Sequence, residues 1–367
     1  MKKFLSFLML LAMFACEDTQ KESFTLSGHV EGQDEGLAYL QDRVAGQMVN
    51  VDSARIENGQ FTITGTVDNP YMYYLNIDGV PGRVSVFMEN SDIKIIVNQV
   101  DPLQYTVEGS RSHEIYIKSN ELAQPFDERL RALQRDIVDA EIAGDDEKVE
   151  QLRGRYEQTN ELKAAELLEF IKEYPNHPVA VFIASRQLTH GLNHEELSDI
   201  FNVFDASLAG STYYDQMKEQ LETLEKVAIG KPAIDFTLPN PDGDEISLSD
   251  YQGRFVLISF WASWCPYCRD VSPYLAEAAR TFSGDDFEII GVSLDREKEA
   301  WVKAIEDDEL AYVHVSDLEG WRSGPAGEYA VRSIPQNVLV GPDGIILARN
   351  LEYAKLNELI DMYLQGV

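Results

Sequence analysis

The sequence predicts a multidomain protein, with an N-terminal all-β domain, an α-helical middle region and a C-terminal α/β domain. Three observations predict it. Residues 24–110 read as short alternating strands separated by turn residues. Residues 111–228 are rich in helix formers, with apolar residues at three- and four-residue intervals. From residue 229 to residue 367 strand-like and helix-like runs alternate, as in a sheet with helices on both faces. At 367 residues, each part has the length to bury a core of its own.

The chain opens with MKKFLSFLMLLAMFAC. Lys2 and Lys3 make a basic start, and an apolar run follows to Ala15 and Cys16. The run is too short to span a bilayer and reads as the core of a signal peptide over residues 1–15. A cysteine after a small residue at its end resembles the lipobox of bacterial lipoproteins. Met13 and Phe14 depart from that pattern, standing where it has Leu and a small residue. The resemblance implies cleavage before Cys16, a diacylglycerol on its thiol and a lipid-anchored linker over residues 16–23. It places the protein in the cell envelope, facing the periplasm and held to the membrane by that anchor.

Within the β domain, Asn58-Gly59 sits between two alternating runs and marks a hairpin, because both residues tolerate positive φ. The domain reads as sandwich-like. His29 and His113 have no Cys or acidic partner at ligand spacing, so no metal role is assigned to them. In the helical region, Gly144-Asp145-Asp146 marks a break between two helices. His190 and His194 are four apart, which suits zinc on one helix, but Gly191 and Asn193 between them favour a break and a surface or capping role. In the last domain, RFVLISFW reads as a central strand buried on both faces. DVSPYLAEAARTF follows as a helix and DFEIIGVSLD as a strand, and Pro342-Asp343-Gly344 joins a closing hairpin.

Lys and Arg total 31 against 63 Asp and Glu, a formal net charge of −32. Such a polyanion has no electrostatic reason to bind nucleic acid or an anionic lipid surface. The chain has 3 cysteines. With Cys16 carrying lipid, Cys265 and Cys268 are the remaining thiols, so there is no disulfide framework.

The pair lies in FWASWCPYCRDVSPYL and has three readings: a redox couple, half of a metal site, or a structural staple. Its place at a strand-to-helix junction favours the first. An ordinary thiol titrates near pH ~8.5, and the free N–H groups and dipole of a helix N-terminus lower that value. Cys265 falls at that first turn, with Pro266 suited to the first helical position. Cys268, one turn on, is within reach of a mixed disulfide on Cys265. Cys265 is therefore read as the exposed nucleophile and Cys268 as the resolving thiol.

From residue 230 to residue 365 the chain resembles the TlpA/ResA-like exported thiol-disulfide oxidoreductases of thioredoxin fold. PAIDFTLPNPDGDEISLSDYQG resembles a lead-in shared with peroxiredoxins, and FWASWCPYC carries the redox motif. Pro273 falls where the family has a helix-kinking proline. SIPQNVLVGPDG places Ile334-Pro335 at the family's cis-proline, and residues 296–322 at its usual insertion. The resemblance implies that Trp264, Pro266, Tyr267, Ile334 and Pro335 support the cysteines, that the cis-proline loop pairs with an incoming peptide, and that neither cofactor nor metal takes part. It also implies exported disulfide-containing proteins as substrates, apocytochromes among them, and a membrane electron-transfer thiol reductase as partner. Two positions depart from the pattern. Ser259 stands where thioredoxins keep a buried acid, and Val271 where ResA-type proteins keep a Glu. The front half resembles lipoproteins of Bacteroidota-type Gram-negatives.

A peroxiredoxin needs Pro-x-x-x-Thr/Ser-x-x-Cys, and Ile258 and Trp261 stand where that proline belongs. A copper-handling module wants a longer Cys spacing and a downstream His, for which the last domain offers His314 alone. A substrate-binding lipoprotein with an auxiliary redox domain is the remaining alternative.

Overall fold

The computed structural model describes residues 21–44, 46–101, 105–284 and 286–366. The chain divides into two compact units, between Asn120 and Glu121. The signal-peptide segment and Cys16 lie outside the described residues.

The first unit contains β1 (Phe24–Glu31), β2 (Glu35–Val44), β3 (Gln47–Glu57), β4 (Gln60–Gly65), β5 (Tyr71–Ile77), β6 (Val84–Met88), β7 (Asp92–Asn98) and β8 (Tyr105–Glu108). The strands form one sheet in the order β6-β5-β2-β3-β4-β1-β7-β8, with β1 parallel to β7. The hairpin forms at Asn58 and Gly59, with φ of 53° and 74°. Where the sequence suggests two layers, the ladder is continuous. β3 and β4 pair at Glu57↔Gln60 beside that turn, and Leu26, Ile63 and Ile93 from one half share a core with Leu40, Leu75 and Val86 from the other. Two glycines are covered by rings on the facing strand: Phe61 lies over Gly28 and Phe24 over Gly65. A Cβ on Gly28 would sit 2.0 Å from the Phe61 ring, so the missing side chain is what lets the aromatic fill the core.

Long helices follow: α1 (Arg111–Ala143), α2 (Asp146–Lys172), α3 (Pro178–Gln187), α4 (His194–Phe201) and α5 (Thr212–Lys226). The first turn of α1 is anchored within the first unit. Ser110 Oγ donates to the Phe87 carbonyl at 2.9 Å, and Phe87 N–H donates to His113 Nδ1 at 3.4 Å. Gly144 takes φ of 69°, and the Asp145 side chain accepts from Lys148 N–H at 3.1 Å, so one helix stops and the next is capped within three residues. α4 starts at a capping box between Asn193 and Glu196. His190 precedes that box and His194 is the first residue of α4, so the two share no helix.

The last part holds β9 (Thr237–Pro239), β10 (Glu245–Ser247), β11 (Phe255–Trp261), α6 (Pro266–Phe282), β12 (Phe287–Ser293), α7 (Lys298–Asp307), β13 (Val313–Val315), α8 (Gly324–Glu328), β14 (Gln336–Val340), β15 (Ile346–Arg349) and α9 (Leu356–Leu364). Its main sheet has the order β13-β12-β11-β14-β15, with β12 parallel and β14 antiparallel to the central β11. Ile258 and Phe260 pack into one core with Val292, Trp301 and Val338. Leu257 packs into another with Leu275, Ile289 and Ile360. Burial on both faces is why β11 reads as a nearly continuous apolar run, broken at Ser259 alone. It also places the end of β11, where α6 begins, at the middle of the sheet's carboxyl edge, the usual place for a site in an α/β fold.

Candidate active site

β11 stops at Trp261, whose carbonyl accepts from Leu294 N–H at 2.8 Å. A three-residue loop leads to Cys265, the N-cap of α6, and Pro266 takes the first helical position. Cys265 Sγ accepts from the backbone N–H of Cys268 at 3.1 Å, as a capping oxygen does at other helices. Cys265 and Cys268 are joined as a disulfide, with Cα atoms 5.3 Å apart. Cys268 is 2% exposed. Cys265, read from the sequence as exposed, is 7% exposed in this oxidised form. Its Sγ lies 3.8 Å from the Ile334 carbonyl, and that segment covers it. The Ile334-Pro335 peptide bond is cis.

The loop before Cys265 is held by Asp295, a carboxylate that is 1% exposed. Ser263 N–H and Oγ donate to its two oxygens at 3.0 and 2.6 Å, and Ser293 Oγ donates at 2.7 Å. Three donors to one buried carboxylate fix the path of the chain into the helix start. Trp264 and Tyr267, by contrast, stand in solvent beside the pair, and Trp264 lies 6.3 Å from the Trp321 ring.

Residues 229–349 match the AhpC/TSA family. The C-terminal domain belongs to the AhpC/TSA family. Within it the thioredoxin-type thiol-disulfide oxidoreductases are the similar proteins. ResA of Bacillus cereus is 28% identical over 143 residues, which are 39% of this chain and 80% of that relative. ResA of Geobacillus kaustophilus is 31% identical over 118 residues, which are 32% of this chain and 66% of that relative. A solved thiol-disulfide oxidoreductase from Bacteroides fragilis is 37% identical, covered over 99% of its length by 35% of this chain, with a TM-score of 0.33. The chain is an oxidoreductase of the thioredoxin-like, thiol-disulfide type. Residues 24–116 match a domain of unknown function, DUF4369.

In this AhpC/TSA-family domain, the two departures from the related pattern sit close in. Ser259 is 1% exposed and pairs across β11 with Asn337 on one side and Gly291 on the other. The Asn337 side chain is committed to Leu351, donating to its carbonyl at 2.9 Å and accepting from its N–H at 2.8 Å. The buried Tyr353 hydroxyl faces Ser259 and Asn337, and burial raises its pKa above the ordinary value. Val271 lies on α6 one turn after Cys268 and is 9% exposed. No carboxylate replaces the family acid at either position. Asp235 is engaged elsewhere, accepting from Ser249 N–H at 3.0 Å. His314 packs between Tyr312, at 4.3 Å, and Trp261, at 5.4 Å between ring centroids. Burial pushes its pKa down to about 3, against a small opposing effect of the Leu310 backbone.

Sequence reasoning missed Asp295 and Tyr353. A signal for the first was available: Asp295 follows the end of β12, and carboxyl ends of neighbouring parallel strands converge on sites in α/β sheets. Nothing in the sequence pattern brings Tyr353 toward Ser259.

Proposed function

We propose that this protein reduces disulfides of exported cell-envelope proteins by dithiol exchange through Cys265 and Cys268 of WCPYC. The observation that supports the reading best is the N-cap position of Cys265 Sγ, which accepts the Cys268 N–H at 3.1 Å. Free N–H groups and the dipole of α6 stabilise negative charge on that sulfur. In the reduced protein, the Cys265 thiolate attacks one sulfur of a substrate disulfide. A Cys265–substrate disulfide forms, the substrate S–S bond breaks, and the departing substrate thiolate takes up a proton. Cys268 then loses its proton and attacks Cys265 Sγ, releasing the second substrate thiolate. The substrate gains two electrons, and the Cys265–Cys268 disulfide remains, the state seen in the structure. A membrane electron-transfer thiol reductase returns the pair to the dithiol.

Trp264, Pro266, Tyr267, Ile334 and Pro335 frame this exchange, and the segment at Ile334-Pro335 is where a substrate backbone would lie. Anchoring through lipid on Cys16 would hold the domain at the membrane. Support for it comes from the apolar run before Cys16. Among the described residues no helix is long and apolar enough to cross a membrane. The test is insulin reduction with the two single variants. Cys265→Ser should abolish turnover, and Cys268→Ser should accumulate a mixed disulfide through Cys265. Turnover by Cys265→Ser at the wild-type rate would sink the proposal.

A further inference from the structure

A groove of about 860 Å³ opens beside the cysteine pair. One wall is a stripe of α6, in which Tyr267, Val271 and Tyr274 follow at helical spacing from the turn that bears Cys268. Tyr267 and Tyr274 are exposed. The floor is the start of β14, with Pro335 and Gln336. The facing wall belongs to α2, which lines the groove with Asp146, Glu150 and Glu157, all exposed on one face of that helix.

The polar groups of this groove are mismatched in a definite direction. Among the described residues, the side chains of Asp146, Glu150 and Glu157 enter no ion pair and no hydrogen bond. Arg153, the one basic residue in the lining, is already bound to Glu141 at 2.8 Å. The groove therefore offers negative charge on its α2 side. On the other side it offers tyrosine rings, whose faces attract cations.

We infer that the groove docks the substrate polypeptide, and that it selects segments in which lysine or arginine flanks the disulfide. The inference rests on the oxidoreductase reading above and adds the class of substrate. An incoming chain whose disulfide meets Cys265 must pass over Pro335, and the groove continues from there between α6 and α2. Basic side chains on that path would meet the α2 carboxylates or stack on Tyr267 and Tyr274. The net charge of −32 adds long-range attraction for the same ligands and repulsion of acidic ones.

The test uses the reduced full-length chain and two synthetic peptides that differ only in lysines or glutamates beside one disulfide. Oxidation of the cysteine pair is followed by tryptophan fluorescence. Each rate is divided by that of dithiothreitol with the same peptide, which removes intrinsic reactivity of the disulfide. The lysine peptide should react about tenfold faster at low salt, and the advantage should shrink at high salt. In the D146N/E150Q/E157Q variant the ratio should fall toward one, and in E150K, which leaves Asp146 and Glu157 in place, it should fall part of the way. Equal normalised rates in the wild-type chain, which need no variant to fold, would overturn the docking inference alone. So would a preference that survives both variants. Failure to reduce either peptide or a small neutral disulfide would overturn the oxidoreductase reading with it.

Discussion

Ser259 and Val271 set the chemistry of the second half of the exchange. The resolving thiolate has to form in a place that is 2% exposed, where the anion is poorly solvated. Related proteins put a carboxylate nearby, whereas here a serine and a valine fill those positions. The Tyr353 hydroxyl and the Asn337 amide add polarity beside Ser259, but burial holds the phenol protonated and the amide does not titrate. Release of the second substrate thiol should therefore depend on hydroxide rather than on an internal base. In stopped-flow with an aromatic disulfide, the second release should accelerate with pH by close to tenfold per unit between about pH 6 and the titration of Cys268. Val271→Glu should raise the neutral-pH rate. A flat profile in the wild-type protein would mean that a proton acceptor is present after all.

At the scale of elements, the legible features were those with a local cause. Asn58-Gly59, the break at Gly144 and the nearly continuous apolar run of β11 each follow from the backbone freedom or burial of a few neighbours. The redox loop was legible for the same reason, since strand, cysteine, proline and helix are contiguous. The α2 wall was not. Its acids have the spacing of any solvated helix face, and helical period says which residues share a face but not what that face looks toward. Asp295 was signalled by its position just after β12, but its contact with Ser263, on a separate segment, was hidden by the same limit. Contacts between elements can still be tested singly. Gly291 lies in β12 opposite Ser259, and a Cβ there would sit 2.7 Å from His314 Nδ1 and 3.1 Å from Trp261 Nε1. Both rings are held by neighbouring strands and have little room to yield. Gly291→Ala should cost about 1–3 kcal/mol in denaturant unfolding of the C-terminal domain. An unchanged midpoint would show that the rings move aside.

For the whole molecule, pH stability brings the two units under one argument. Each buries one histidine: His113 in the first unit and His314 in the second, with exposures of 2% and 4%. Burial pushes their pKa values down to about 4 and about 3. In an unfolded chain a histidine titrates near pH ~6.5. Between the native and the unfolded value, the unfolded state binds a proton that the native state refuses, so stability rises with pH there. Above about pH 6.5 neither state is protonated and the term is constant. As pH falls from there toward the native values, each unit should lose up to about 1.4 kcal/mol per pH unit from its histidine. The excess of acidic residues gives an opposing trend at lower pH, because protonating carboxylates relieves repulsion within a chain of net charge −32. The window that isolates the histidines therefore runs from about pH 6.5 to about pH 5.2, above the bulk of carboxylate titration. His314→Phe keeps a ring between Tyr312 and Trp261 while removing the titration, and should flatten the slope for the second unit alone. His113→Phe should do the same for the first. It also loses the bond from Phe87 N–H, a cost that shifts the curve without changing its slope. Denaturant unfolding at several pH values in that window reads the slope directly. A slope that stays steep in both variants would place the protons on other groups.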